Sequence, residues 1–287
     1  MDILYFCFLV RLINMLIFLL IMKKSVFLLS LLLIISSLTV FAHDHDLVEK
    51  FTTTSVYAVL AVSVLVIVLI IASMLHEKRK KDSFKWGIFL GIAIPVVLVT
   101  LYVAGSTIYL NVVSDTKGPV HWHADFEIWH CGNKIDLLDP TGLSNRIGNP
   151  VLHEHGDDRI HVEGVVVKYP DVNLGKFFEI IGGTLQRGSL TIPTNQGILN
   201  MKDGDKCGDI PGKLQVFILQ VQNPEDHKNW NYKQIKMVSY DTYILRPQSQ
   251  VPPGDCIIIE FGDDRSYTDK KCETFKVTEQ RGELSGS

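Results

Sequence analysis

Two uncharged apolar runs, Ser55 to Leu75 and Trp86 to Leu110, constrain this chain more than any other feature. At about 1.5 Å of helical rise per residue each covers a hydrocarbon core of roughly 30 Å, so transmembrane helices are expected at 55-75 and 86-110. Gly and Pro95 interrupt the second run, which membrane helices tolerate when neighbouring groups satisfy the freed backbone. Between the runs lies a short basic loop, 76-85, in which His76 and Glu77 precede Lys78, Arg79, Lys80 and Lys81. Its charge places the loop on the cytoplasmic side and both flanks outside. Neither run holds a charged residue, which argues against an ion pathway through them.

Residues 1-42 are an apolar leader. Within it Met22-Lys23-Lys24, the stretch Ser25 to Val40, and Phe41-Ala42 have the three-part layout of a secretory signal peptide at 22-42, with Val40 and Ala42 before the cleavage point. Met1 to Ile21 is apolar apart from Asp2 and Arg11. It is either one more membrane segment or upstream of a start at Met22, and the second reading is preferred. His43, not Cys, follows Ala42, which argues against a lipoprotein signal.

Residues 113-287 then form one extracytoplasmic domain of about 175 residues, long enough to bury a core unaided. Its acidic side chains outnumber its basic ones by 25 to 19. That balance excludes nucleic acid as the expected partner, because phosphate binding needs a basic face. Cys131, Cys207, Cys256 and Cys272 lie in this domain, and an even number outside the cytoplasm points to disulfides. Three pairings are open. The cysteines show no Cys-x-x-Cys spacing, which argues against thiolate metal ligation.

From Trp122 to His130, apolar Trp122, Ala124, Phe126 and Ile128 alternate with His121, His123, Asp125 and Glu127, the period of a half-buried strand. Cys131-Gly132-Asn133-Lys134 supplies a turn, and Ile135 to Leu138 reads as the returning strand. A loop from Asp139 to Pro150 precedes a third strand, Arg159 to Tyr169. Asp171 or Asn173 caps a helix carrying Leu174, Phe177, Phe178 and Ile181, ended by Gly182-Gly183. Further strands are expected at Ser189 to Ile192, Leu214 to Val221, Ile235 to Leu245 and Cys256 to Phe261. This order predicts an α+β domain with a small, mostly antiparallel sheet and one main helix, β-grasp-like in outline. A strand-only sandwich with a minor helix is the competing architecture.

Six of the ten histidines fall between His121 and His161. Strand alternation puts His121 and His123 on one face, about 7 Å apart, with Asp125 next in the row. If the third strand lies beside the first, His161 and Glu163 face that pair. His153 and His155, in a segment with Asp157 and Asp158, then fold over the same face. Five imidazoles with carboxylates beside them suit Cu(II) or Zn(II), as ligands or as acceptors that orient the rings. The plainer reading is a solvated strand face, which would explain one His-x-His pair more easily than two pairs plus His161-Val162-Glu163. His130 shares parity with the apolar row and reads as a packed or rim residue, His227 as a solvated loop residue and His76 as part of the cytoplasmic loop.

Cleavage after Ala42 would expose His43-Asp44-His45, whose amino terminus, backbone nitrogens and His45 can chelate Cu(II) or Ni(II) in a plane. A catalytic metal would need a base, and Glu154 or Glu163 is available. The helical His-Glu-x-x-His motif is absent, because Asp157 stands where the second histidine belongs, and there is no Gly-x-Ser-x-Gly elbow. Gly208 to Lys213 is no phosphate loop. Asp203-Gly204-Asp205 and Asp263-Asp264 lack the twelve-residue calcium pattern and read as acidic turns.

The combination His121-Trp122-His123, Leu152-His153-Glu154-His155, Ile160-His161-Val162-Glu163 and Leu174-Gly175-Lys176-Phe177-Phe178 resembles an uncharacterised group of prokaryotic membrane-anchored outer-domain proteins. That group carries the same HxH, HxH and IHxE histidine cluster, and the resemblance spans roughly His121 to Phe261. It supports the unity of the domain and adds no function, because that group has no established activity. Where many relatives have Asn-Gly in the first hairpin, this chain has Gly132-Asn133. The residues thus predict a multi-pass protein of the cell membrane whose outer domain binds copper or zinc for capture, sensing or delivery. The ligand candidates are His121, His123, His153, His155, His161 and Glu163, and conditionally His43 and His45. The partners are the metal ion and the lipid bilayer, with protein partners unassigned. The alternatives are a non-catalytic, disulfide-stabilised adhesion or complex-subunit domain and a metal-dependent hydrolase or oxidase.

Overall fold

The computed structural model describes residues 47–76, 81–226 and 228–286. The chain divides into two compact units, one ending at Leu110 and the other running from Asn111 onward. In the first, helix α1 (Leu47–Leu75) and helix α2 (Asp82–Val113) are each long and apolar enough to cross a bilayer. They begin ahead of the apolar runs because amphipathic residues such as Lys50 and Lys85 extend them without a breaker. Phe51 meets Tyr109 at 5.8 Å between ring centroids, Leu69 faces Gly91, and His76 meets Phe84 at 4.6 Å, so the pair is an antiparallel hairpin. The leader, residues 77–80 and His227 lie outside the described residues.

The second unit is α+β, built on one mixed sheet of nine strands, so the sheet is larger than the small one expected. Strand β1 (Pro119–His130) is central because its twelve residues are long enough for three partners. On one side it pairs antiparallel with β5 (Arg159–Val165) through its first half and with β2 (Asn133–Ile135) through its end. On the other side β13 (Cys256–Gly262) runs parallel to it from Asp125 to His130. Beyond β5 come β4 (Leu152–Glu154) and β3 (Ile147–Gly148), both antiparallel. Beyond β13 come β11 (Lys213–Val221), β12 (Trp230–Met237) and, parallel to it, β14 (Leu284–Gly286). The link from β1 to β2 is the two-residue loop Cys131-Gly132, both at positive φ, as a type I′ hairpin turn requires.

One face of this sheet forms the main core. Trp122, Ala124, Phe126 and Ile128 of β1 share it with Ile160 and Val162 of β5, Ile257 and Ile259 of β13, and Val216 and Ile218 of β11. Helix α3 (Leu174–Ile180) packs there through Leu174, Phe177 and Phe178, each fully buried and each stabilising by roughly 1.5–3 kcal/mol. The Asn173 side chain caps it by accepting from the Lys176 amide at 2.7 Å. A three-stranded sheet, β6 (Thr184–Gln186), β7 (Ser189–Thr194) and β8 (Gly197–Lys202), adds Leu185, Leu190, Ile192 and Met201 to the same core. A minimal hairpin, β9 (Lys206–Cys207) and β10 (Ile210–Pro211), follows.

The opposite face is split. Toward β12 it holds a second core of Phe217, Leu219, Ile258 and Tyr232 under helix α4 (Glu273–Gln280), whose Phe275 is fully buried. Toward β3 it carries the histidines. Helix α4 corrects the expectation of one main helix: its apolar contribution is chiefly Phe275, too little for a periodic signal. The strand expected at Ile235 to Leu245 lies instead at Trp230–Met237, and the one expected to reach Tyr169 stops at Val165, before a 3-10 turn at Tyr169–Val172. Of the three possible pairings, Cys131 bonds Cys207 and Cys256 bonds Cys272. The first ties the end of β1 to β9; the second joins β13 to the start of α4.

Candidate metal centre

The registers of three neighbouring strands assemble the site. His121 of β1 lies opposite Glu163 of β5, His123 opposite His161, and His161 in turn opposite His153 of β4. The row His123, His161, His153 therefore crosses the sheet at strand spacing, about 4.8 Å per step. The ring centroids of His123 and His161 are 4.6 Å apart, and those of His161 and His153 are 5.4 Å apart and nearly parallel. His155, just past β4, stands 4.8 Å from His153 and 4.9 Å from His161. The six candidate side chains of the second unit thus lie on one face. His43 and His45 lie outside the described residues.

The ring nitrogens are oriented by fixed acceptors. His123 Nδ1 donates to the Ser249 carbonyl at 2.6 Å, which leaves Nε2 as the lone-pair nitrogen. His155 Nδ1 donates to the Asn145 carbonyl, with the same effect. His161 Nε2 faces the Asp157 carboxylate at 3.3 Å, so its Nδ1, buried and without a hydrogen bond, is the free nitrogen. Metal-bound imidazoles characteristically give their other nitrogen to a carbonyl or carboxylate in this way. The carbonyls of Ser249 and Asn145 could not be found from sequence, since every residue carries one. The acid four residues before His161 was the only available signal for Asp157.

Glu163 sits among the rings. Its Oε1 is 3.5 Å from His121 Nε2 and 3.9 Å from His161 Nδ1, and its Oε2 is 3.9 Å from His153 Nε2. His121 Nε2 and His123 Nε2 are 2.9 Å apart. Metal–nitrogen bonds of about 2.0–2.1 Å place tetrahedral ligand atoms roughly 3.3–3.4 Å apart, so these separations bracket the coordination value. His121, His123, His161 and Glu163 form one set whose ligand atoms lie within 4.8 Å of one another; His153, His155 and His161 form another. Exposure is uneven across the array: 60% for the His121 side chain, 37% for Glu163 and 1% for His153, with His155 again partly exposed.

Burial holds His123 and His161 below the ordinary imidazole range and brings His153 down to about 4, against the opposing pull of Glu163 on His153 and of Asp157 on His161. Neutral imidazoles are the form that binds metal. Asp125 continues the row but is committed elsewhere, pairing with Arg159 at 2.7 Å and accepting from Thr274. Glu154 lies on the face opposite His153, where its carboxylate accepts the Asp157 amide at 2.6 Å and closes the β4–β5 turn. This removes Glu154 as a base acting on the array.

His130 is half-buried and stacks on Phe261 at 5.6 Å, as a packed or rim histidine should, and the adjacent Cys131 and Cys207 are bonded to each other. The acidic turns behave as such: Asp203 accepts the Leu214 amide and Asp264 pairs with Lys213 and Lys236. The sequence matches no protein-family model, no curated protein and no solved structure.

Proposed function

We propose that this protein is a membrane-anchored, extracytoplasmic binder of a transition metal ion, copper or zinc, serving metal capture, sensing or delivery. The observation that carries the reading is the register of β1, β5 and β4, which brings His121, His123, His153, His155, His161 and Glu163 to one face. A nitrogen-rich set with one carboxylate suits Cu(II) and Zn(II) better than oxygen-seeking Mg²⁺ or Ca²⁺. The desolvated, neutral rings offer lone pairs that a dication stabilises, while Glu163 offsets part of its charge. Two disulfides support an oxidising compartment, and the basic 76-85 loop supports the matching orientation of the helical hairpin. The role assigned is binding, which the gathered imidazoles and the Glu163 carboxylate supply directly.

The test is metal content by mass spectrometry of the full chain purified in detergent, incubated with Zn(II) or Cu(II) and desalted. Stoichiometric metal in the wild type, strongly reduced in a His123→Ala/His161→Ala variant that keeps its circular dichroism, is expected. A wild-type chain that retains no metal overturns the proposal.

A further inference from the structure

The array contains more ligands than one ion can use. A single ion with bonds of about 2.0–2.1 Å reaches only atoms within roughly 4.2 Å of one another, and four ligands complete a tetrahedron. His121, His123, His161 and Glu163 already offer four, gathered within 4.8 Å before any ion draws them together. Two further imidazoles lie beyond them, and one is odd. His153 is 1% exposed, its Nδ1 has no hydrogen bond, and its Nε2 stands 3.9 Å from Glu163 Oε2, outside hydrogen-bond reach. A buried polar ring left this way costs about 1–3 kcal/mol, and native interiors keep few of them. His155 approaches from the other side with its Nδ1 fixed on the Asn145 carbonyl and its Nε2 left free.

Glu163 joins the two groups. Its Oε1 faces His121 and His161, and its Oε2 faces His153. On the metal-binding reading above, we infer that the site is a dinuclear centre: one ion on His121, His123 and Glu163 Oε1, a second on His153, His155 and Glu163 Oε2, with the carboxylate as the bridge. His161, common to both groups, completes the outer ion through Nδ1. A carboxylate-bridged pair sits about 3.5–4 Å apart, and neighbouring strands set their ligands at a compatible spacing. The outer position opens to solvent through His121, while the inner one combines a buried His153 with a partly exposed His155, so the two ions sit in different surroundings.

The experiment uses the full chain in detergent, loaded with Zn(II) for counting and with Cu(II) for electron paramagnetic resonance. Two ions per wild-type chain are expected, one per chain in His153→Leu and in His155→Ala, and in the Cu(II) form a spin-coupled pair that becomes an isolated-ion spectrum in either variant. His155 is partly exposed, so its variant keeps the test valid if His153→Leu misfolds. One ion per wild-type chain, or two ions with uncoupled spectra, overturns the bridged pair while leaving metal binding intact. No ion at all overturns both readings.

Discussion

His153 shows how one residue exchanges stability for binding. Its ring is buried without a hydrogen bond, so in the metal-free protein it is a net cost. His153→Leu is therefore expected to raise metal-free stability by about 1 kcal/mol while lowering the stabilisation gained on adding Zn(II), read from urea midpoints with chelator and with metal. The same burial sets a pH dependence. Unfolded imidazoles protonate near pH 6.5, whereas folded His153 does so only at about 4, and folded His123 and His161 also resist protonation. Below pH 6.5 the unfolded chain binds more protons, so stability present in full above that value is lost as pH falls toward 4, at up to about 1.4 kcal/mol per unit for each unmatched proton. Urea midpoints of the metal-free protein at pH 7.5 and 5 should show this drop, and it should be smaller in His153→Leu. Strand parity made the facing of His121, His123, His161 and Glu163 legible from sequence. The missing hydrogen bond of His153 was not legible, because it depends on what packs over the ring.

Among the elements, the segment from Arg246 to Asp255 matters most for the site. It docks on β1 through the His123 amide to the Gln248 carbonyl at 2.7 Å and the Asp125 amide to the Asp255 carbonyl at 2.9 Å, and it delivers the Ser249 carbonyl to His123. Gly254 permits this approach: a Cβ there would lie 2.4 Å from the His123 carbonyl oxygen. Gly254→Ala is expected to cost about 1–3 kcal/mol, from the backbone shift it forces. It should also weaken metal affinity by about 10-fold, through loss of the acceptor that orients His123. Thermal unfolding and competition with a chromophoric chelator measure the two effects. The segment's Pro252-Pro253-Gly254 reads as a loop in sequence, but nothing local says which strand it touches. Helix α3 was legible because its apolar residues have helical spacing and Asn173 caps it; α4 was not, since Phe275 gains its partners only from the second core.

At the scale of the whole molecule the two disulfides brace the second unit and contribute no ligand atom to the histidine array. The Cys131–Cys207 bridge closes a separation of 76 residues, for which chain entropy assigns about 4 kcal/mol. Cys131→Ser/Cys207→Ser should lower unfolding free energy by about that amount and leave metal stoichiometry unchanged, because the bridge lies at the far end of β1 from His121. Equal stability with and without the bridge would contradict the first part, and lost metal the second. The sequence by itself determined the two long apolar helices, the alternation that sorts histidines from core, the α+β class and the list of candidate ligands. These follow from composition and period, which are local and survive any tertiary arrangement. The nine-strand order, the disulfide pairing, the acceptors behind each imidazole and the position of Glu163 between two groups of rings were decided only by the tertiary structure. Each depends on which distant segments become neighbours, and that is settled by burial of the whole core and not by any stretch of sequence.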